Sequence, residues 1–212
     1  MKKDFNELLD IIRRLRAPGG CPWDREQTHM SLKKHLIEEA YEAADAIDEG
    51  DCAKIADELG DVLLQIVMHA QIGAEEGTFD INDVTDAICT KMIVRHPHVF
   101  ADVTAETSEA VLKNWEDIKK RERGQKTTAE AMEAVTRSLP SLTRGVKIIS
   151  KADKAGMLEA LNEANASFEE DMGKRLFEIC LECYKNGIDP EEELYSYTKK
   201  FIKKFKNIEE NT

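Results

Sequence analysis

Five carboxylates at helical spacing are the side chains of this 212-residue sequence best suited to metal or acid–base chemistry. An "EExxE" motif and a later "ExxD" motif supply them: Glu38, Glu39, Glu42, Glu58 and Asp61. Residues three or four positions apart lie on one face of a helix. Carboxylates that are partly desolvated side by side repel one another, which raises their pKa values or attracts cations. Oxygen-only ligands from facing helices suit Mg²⁺ or Mn²⁺.

The second motif supports this interpretation more strongly than the first. Glu58 and Asp61 interrupt "ADELGDVLLQIVMHAQIG", one of the most apolar stretches of the chain. Charged side chains are rarely fully buried unless they are paired or bind a metal. Glu38 and Glu39 alone would be ordinary surface residues, because the chain has 42 acidic residues. We therefore expect the "ExxD" pair to face the "EExxE" motif.

A redox di-iron centre is the alternative metal site, and the sequence disfavours it. Di-iron bundles use a Glu-x-x-His motif on two of their helices. Neither acidic motif of this chain contains histidine, and His69 lies eight residues beyond Asp61. A hard, redox-inert cation is the better prediction.

Helices must position these carboxylates, because apolar residues recur every three or four positions and no stretch alternates long enough for a β-strand. We predict an all-α helical bundle in which "APGGCP" is not helical. The short "EGD" turn would fold the second and third helices antiparallel, so that the two acidic motifs face each other. The predicted helices cover about residues 4–16, 28–50, 51–73, 80–96, 106–122, 141–154, 167–186 and 190–208.

Composition excludes several classes of protein. The formal net charge is −12 and no basic run occurs before residues 199–206, so polymeric nucleic acid is not an expected partner. No apolar run approaches the roughly 18 residues of a membrane span, and the charged N-terminus is unlike a signal peptide. Five scattered cysteines fit a reducing compartment, and we expect a cytoplasmic protein. Cys180 and Cys183 are predicted to be packed helix residues instead of zinc ligands.

Four motifs in this order resemble the MazG family of nucleoside triphosphate pyrophosphohydrolases. They span about residues 5–123 and are "GCPWDREQTHMSLKKHLIEEAYEAADAI", "DELGDVLLQIVMHA", "KMIVRHPHVF" and "NWEDIKKRE". The resemblance implies an all-α, Mg²⁺-dependent enzyme, with Mn²⁺ possible, that is usually a homodimer. Such an enzyme splits an NTP or dNTP between its α and β phosphates into NMP and pyrophosphate. A house-cleaning role in the nucleotide pool is the expected physiology.

The resemblance also implies roles for the five carboxylates. Glu39, Glu42, Glu58 and Asp61 would be the metal ligands. Glu38 would be either another ligand or the group that orients and deprotonates the attacking water. A purely acidic site would reject a triphosphate, so bound cations must reverse the local field.

Basic and aromatic side chains would complete the pocket by the same resemblance. Lys91, Arg95 and Lys119 would contact phosphates, and Lys54 is a weaker candidate for that role. Trp115, and with less support Trp23, would pack near the base. The alternatives are a solvated surface position for each lysine and an ordinary core position for each tryptophan.

The second half of the chain contains a partial repeat of the first. "ADELGDVLLQI" (56–66) aligns with "EEDMGKRLFEI" (169–179), and "TKMIVR" (90–95) aligns with "KKFIKK" (199–204). In the second copy Asp171 replaces Glu58, Lys174 replaces Asp61, and most of the helix that would carry "EExxE" is missing. We predict a catalytic domain at 1–123, a linker at 124–140, and a shortened, metal-free repeat at 141–212 that serves packing and assembly.

Two classes of function remain open from the sequence. One is the pyrophosphohydrolase, and the other is a non-catalytic helical assembly or regulatory module with a structural cation. A scaffold has no need for basic and aromatic side chains at the family positions, which favours the enzyme. Related all-α pyrophosphatases specific for dUTP, dCTP or phosphoribosyl-ATP share the carboxylate scheme, but "CPWD" and "RHPHVF" favour MazG. The preferred base and sugar are left open.

Overall fold

The structure of the protein is a computed structural model, and every regular element that it describes is an α-helix, which confirms the all-α prediction. It describes residues 3–101, 107, 110, 111, 114, 115, 118, 119, 122, 124 and 127–209. Most of the helix predicted at 106–122 therefore lies outside the described residues. Contacts between Cα atoms divide the chain into Met1–Trp115 and Glu116–Thr212, which we call unit 1 and unit 2. None of the described helices has the length and apolarity needed to cross a membrane.

The helices of unit 1 begin largely where local sequence signals place them. Asp4 and Glu7 form the capping box of the first helix, and Thr28 and Ser31 form that of the third. Asp80 caps the fifth helix through the backbone N–H groups of the first turn. The helices are α1 (Phe5–Arg16), α2 (Pro22–Glu26), α3 (His29–Glu49), α4 (Cys52–Glu76), α5 (Ile81–Arg95) and α6 (Pro97–Phe100).

Two boundaries in unit 1 differ from the prediction. The short α2 begins at Pro22, the last residue of the "APGGCP" stretch predicted to be non-helical, because a missing N–H costs nothing at the first helical position. Helix α4 continues past Gly73 and ends at Glu76, and its C-cap Gly77 adopts the left-handed conformation with φ of 69°. Gly73 is needed inside the helix for close packing, since a Cβ there would lie 2.6 Å from the backbone oxygen of Phe79.

The core of unit 1 is formed by α1, α3 and the later part of α4. Its buried residues are Ile12, Leu32, Val67, Met68 and Ile72. The turn at Gly50, with φ of 73°, folds α3 back against α4. The imidazole of His29, at the start of α3, stacks on that of His69 with an Nδ1–Nδ1 distance of 2.7 Å. The two longest helices of unit 1 therefore pack antiparallel, as predicted.

Arg16 connects three helices of unit 1. Its side chain is 5% exposed, and its Nη2 donates to Oε2 of Glu75 on α4 at 2.7 Å. The same guanidinium donates to the backbone oxygens of Asp24 and Gln27. This bonding fixes the "CPWD" segment and α2 against the end of α4.

Glu75→Gln is expected to destabilise unit 1 by about 1 kcal/mol at neutral pH, because Glu75 is partly exposed and its ion pair is screened. The Arg16 guanidinium holds the pKa of Glu75 below its usual 4.5. A depressed carboxylate pKa contributes stability that is present above the unfolded value and is lost as the pH falls below about 4.5. Urea unfolding at pH 7 and at lower pH should show the difference from wild type shrinking on acidification. The exposed Glu26→Gln is the control, and a pH-independent difference would contradict the assignment.

Unit 2 has its own small core around Ile149, Cys180 and Leu181. Cys180 is buried and Cys183 is half-buried, as expected for packed helix residues. The described helices of this unit are α7 (Thr128–Glu133), α8 (Ser141–Lys154), α9 (Leu158–Ala166), α10 (Met172–Lys185) and α11 (Pro190–Glu209).

Two predictions for unit 2 need correction. The stretch predicted as a linker at 124–140 contains α7, which begins with a capping box of Thr127 and Glu130. The helix predicted to start at Ser167 starts at Met172, because Ser167 ends α9 and Asp171 caps α10.

Candidate active site

Three carboxylates from α3 and α4 meet in unit 1. Glu39, Glu58 and Asp61 each offer an oxygen, and these oxygens lie within 4.8 Å of one another. The antiparallel packing of the two helices brings the "EExxE" and "ExxD" motifs together, as the sequence predicted. Among the described residues, no other group of three or more His, Cys, Asp or Glu side chains meets in this way. We call these three residues the carboxylate cluster.

The other two acidic side chains act on the cluster electrostatically. Burial raises the pKa of Glu39, and the charges of Asp61, Glu42, Glu38 and Glu58 raise this pKa further. Concentrated negative charge of this kind favours either protonation or a bound cation. Because all the ligand atoms are carboxylate oxygens, the residues present fit a hard divalent cation such as Mg²⁺.

The burial that the apolar surroundings of Glu58 and Asp61 indicated is only partial. Glu39 and Glu58 are half-buried, and Glu38 and Glu42 are exposed. The first half of α4 leaves apolar side chains in solvent, with Leu59 50% exposed, because the core of unit 1 contacts the later half of that helix. The close approach of the three oxygens, and not full burial, is the structural support for a cation site.

His35, which was not among the predicted site residues, lies next to Glu38. Nδ1 of His35 is 3.5 Å from Oε2 of Glu38, and the i, i+3 spacing was the available signal. Trp23 packs edge-on against the His35 ring with centroids 6.4 Å apart, and it is 56% exposed. The alternative of an ordinary core position for Trp23 is therefore wrong, and its ring is accessible.

Lys54 has a structural partner near the cluster. Its Nζ donates to Oε2 of Glu49 at 2.9 Å across the turn between α3 and α4. This bond raises the pKa of Lys54, and the charges of Glu49, Glu58 and Asp45 act in the same direction. A role for Lys54 in phosphate binding stays a prediction.

The structure joins two of the side chains predicted to bind nucleotide. The Arg95 guanidinium lies over the Trp115 ring, with Cζ 5.4 Å from the ring centroid, in a cation–π contact. Lys91 is exposed one helical turn earlier on α5. Lys119 belongs to a stretch in which only isolated residues are described, so its assignment, like that of Lys91, rests on the family resemblance.

Comparison with known proteins identifies the family. A model described as the MazG nucleotide pyrophosphohydrolase domain matches residues 27–100, which include all five carboxylates. The nucleoside triphosphate pyrophosphohydrolase/pyrophosphatase MazG of Thermotoga maritima is 41% identical over 97% of this chain and 86% of its own length. The chain belongs to the MazG family. It is accordingly a hydrolase that acts on phosphoric anhydrides.

Two further relatives of this chain differ from each other in length. The nucleoside triphosphate pyrophosphohydrolase of Escherichia coli K12 is 39% identical over 97% of this chain and 87% of its own length. A protein of Bacillus subtilis named uncharacterized protein YabN is 42% identical over 98% of this chain. The chain spans only 46% of YabN, slightly less than half of that protein.

The aligned positions in unit 2 have other structural roles. Asp171, which aligns with Glu58, accepts a hydrogen bond from the backbone N of Lys174 at 2.7 Å as the cap of α10. Lys174, which aligns with Asp61, has its Nζ 3.3 Å from Oε2 of Glu170. Helix α9 has 9 residues, whereas α3 has 21. The described residues of unit 2 therefore contain no carboxylate cluster like that of unit 1.

Proposed function

We propose that this MazG chain hydrolyses nucleoside triphosphates, both NTP and dNTP, between the α and β phosphates in a Mg²⁺-dependent reaction. The products are a nucleoside monophosphate and pyrophosphate, and the role is house-cleaning of the cytoplasmic nucleotide pool. The observation that carries the proposal is the meeting of the Glu39, Glu58 and Asp61 oxygens within 4.8 Å in a chain of this family.

The acidic side chains divide the work of the reaction. Glu39, Glu58 and Asp61 would hold the cation. Glu42, predicted as a fourth ligand, lies outside the carboxylate cluster and adds negative charge beside it. When bound, Mg²⁺ neutralises phosphate charge and polarises the phosphoryl oxygens. Glu38 lies outside the carboxylate cluster, so its carboxylate is the best candidate to orient a water molecule and accept its proton.

Cationic and aromatic side chains hold the nucleotide. Arg95 and Lys91 neutralise phosphate oxygens and keep the leaving group in line with the attacking water. One face of the Trp115 ring contacts the guanidinium of Arg95, and the ring also offers an aromatic surface to the base. Trp23, which is exposed beside His35, is a second surface on which a base can stack.

The test is product analysis over a panel of all common NTPs and dNTPs with Mg²⁺ or Mn²⁺, with phosphoribosyl-ATP included. Release of NMP and pyrophosphate from several substrates is the expected result. Release of NDP and inorganic phosphate would show that cleavage occurs at another bond. Hydrolysis of dUTP, dCTP or phosphoribosyl-ATP alone would favour one of the specific pyrophosphatases. Mg²⁺ binding without hydrolysis of any substrate would favour a structural cation in an assembly module.

We also propose that the chain forms a homodimer through exposed apolar side chains of unit 1. Leu59, Leu63 and Ile66 recur along one side of α4, and all three are at least 36% exposed. A contiguous exposed apolar strip is typical of an association surface. Light scattering should give twice the 24.0 kDa chain mass, and Leu63→Lys should shift it towards the monomer.

All hydrolysis is expected to depend on unit 1, and the second repeat is proposed to serve packing and assembly. Lys174→Asp in a Glu58→Ala background should recover no pyrophosphate release. The reason is that Asp171 is bonded as a helix cap and α9 carries no "EExxE" motif. Pyrophosphate release above that of Glu58→Ala alone would show that unit 2 retains a latent catalytic site.

A further inference from the structure

Unit 2 contains a pocket that the proposed hydrolysis does not use. It has a volume of about 580 Å³ and lies among α7, α9 and the beginning of α10. Pockets that bind small organic ligands fall in the range of roughly 300 to 1,000 Å³. We call it the α9–α10 pocket.

Large apolar side chains and small residues together shape this pocket. The small residues Ala160, Ala164 and Gly173 leave the space open. The large side chains that line it are Met132, Met157, Leu161, Phe168 and Phe177. Phenylalanine and methionine surfaces pack well against planar aromatic or aliphatic groups. The body of a matching ligand is therefore apolar, unlike a polyphosphate chain.

One cationic side chain, that of Lys174, and one carboxylate, that of Asp171, line the pocket, and the carboxylate caps α10. The Lys174 side chain is 15% exposed, and its Nζ lies 3.4 Å from the backbone oxygen of Phe168, another lining residue. Its ionic partner Glu170, at 3.3 Å, is 64% exposed on the solvent side. A lysine side chain that is mostly buried beside an apolar cavity favours an anionic head group on the ligand.

The position of the pocket in the repeat supports an anionic ligand. Asp171 and Lys174, the residues that align with Glu58 and Asp61 of unit 1, both line it. Two sequence positions that carry carboxylates of the cluster in the first repeat therefore line a cavity in the second. Lys174 places a positive charge at the position aligned with Asp61, so an anion can be held there without a metal ion.

We propose that the α9–α10 pocket binds a small organic anion without metal, with an apolar or planar aromatic body against the Met and Phe side chains and one anionic head group at Lys174. A nucleoside triphosphate does not match, because one ammonium group cannot balance three or four charges and no carboxylate cluster recruits Mg²⁺. A nucleoside monophosphate and a non-nucleotide aromatic or aliphatic acid share the required chemistry. This binding does not depend on the hydrolysis proposed for unit 1.

The test uses the full chain in excess EDTA, where the carboxylate cluster of unit 1 repels anions. AMP and anilinonaphthalene sulfonate are titrated separately, by calorimetry and by fluorescence. Lys174→Met removes the charge, and Ala164→Phe fills the pocket from an exposed position of α9. The matched controls are Lys185→Met on α10 and Ala166→Phe on α9, neither of which lines the pocket.

Saturable binding of at least one probe is expected, weakened about tenfold or more by Lys174→Met and abolished by Ala164→Phe. Lys174→Arg should retain binding, and both controls should match the wild type. AMP binding identifies a nucleotide ligand, whereas binding of the sulfonate alone identifies a non-nucleotide acid. The proposal is overturned if neither probe saturates, if binding requires Mg²⁺, or if binding survives Ala164→Phe. Equal losses in the control variants would overturn it as well.

Discussion

Asp61→Ala and Glu58→Ala are each expected to lower kcat/KM for every nucleoside triphosphate by roughly a thousandfold. Each substitution removes one of the three oxygens that lie within 4.8 Å of one another, so the proposed cation loses a ligand from α4. The matched control is Asp57→Ala on the same helix, since Asp57 is not among the carboxylates that raise the pKa of Glu39. Pyrophosphate release, measured with saturating Mg²⁺, should be strongly reduced in Asp61→Ala and Glu58→Ala and unchanged in Asp57→Ala.

The same variants distinguish a catalytic cluster from a structural one. Burial raises the pKa of Glu39 most, and the charge of Asp61 raises it further. Without metal, removing Asp61 relieves that repulsion, so Asp61→Ala should leave the Tm unchanged or higher. With Mg²⁺, the wild type should gain thermal stability by ligand binding, and Asp61→Ala should gain far less.

Ile72→Ala provides the comparison, because deletion of this core side chain lowers the Tm with and without Mg²⁺. A loss of metal-free stability in Asp61→Ala as large as that of Ile72→Ala would contradict a catalytic cluster. Hydrolysis that persists in both acidic variants would contradict it too.

Local chemistry explains why much of the fold was predictable. Asp4, Thr28 and Asp80 each accept hydrogen bonds from the first-turn N–H groups of the following helix, and such caps can be read from a few residues. The turn at Gly50 needs a left-handed residue, which glycine supplies at low cost. Helix existence and the antiparallel α3–α4 pair therefore followed from sequence signals a few residues long.

Features that depend on tertiary packing could not be predicted in the same way. Helix α4 extends beyond its predicted end at Gly73 because that glycine packs against Phe79, a residue outside the helix. Apolar composition around Glu58 predicted burial, yet the core is built on the later half of α4. The spacing of the acidic motifs gave the candidate ligands, but which three oxygens meet depends on how α3 is rotated about its axis against α4.

Arg95→Ala is expected to lower kcat/KM about tenfold to a hundredfold on every NTP, since phosphate charge is common to all of them. Trp115→Ala should instead change the ranking of bases, because an aromatic surface distinguishes bases by stacking. Arg95→Lys should restore only part of the activity, because an ammonium group lacks the planar, bidentate geometry of the guanidinium. Arg137→Ala in unit 2 serves as the control for removal of an exposed arginine.

The contact between Arg95 and Trp115 predicts that their contributions to activity are coupled. Because the Arg95 Cζ lies 5.4 Å from the Trp115 ring centroid, the ring also holds the guanidinium in place. The effects of Arg95→Ala and Trp115→Ala on the common rate should then be less than additive in the double variant. Trp115→Phe, which keeps an aromatic face, should retain most of the Arg95 contribution. Additive effects, or a change in base ranking caused by Arg95→Ala with the common rate intact, would mean that these two roles are wrongly assigned.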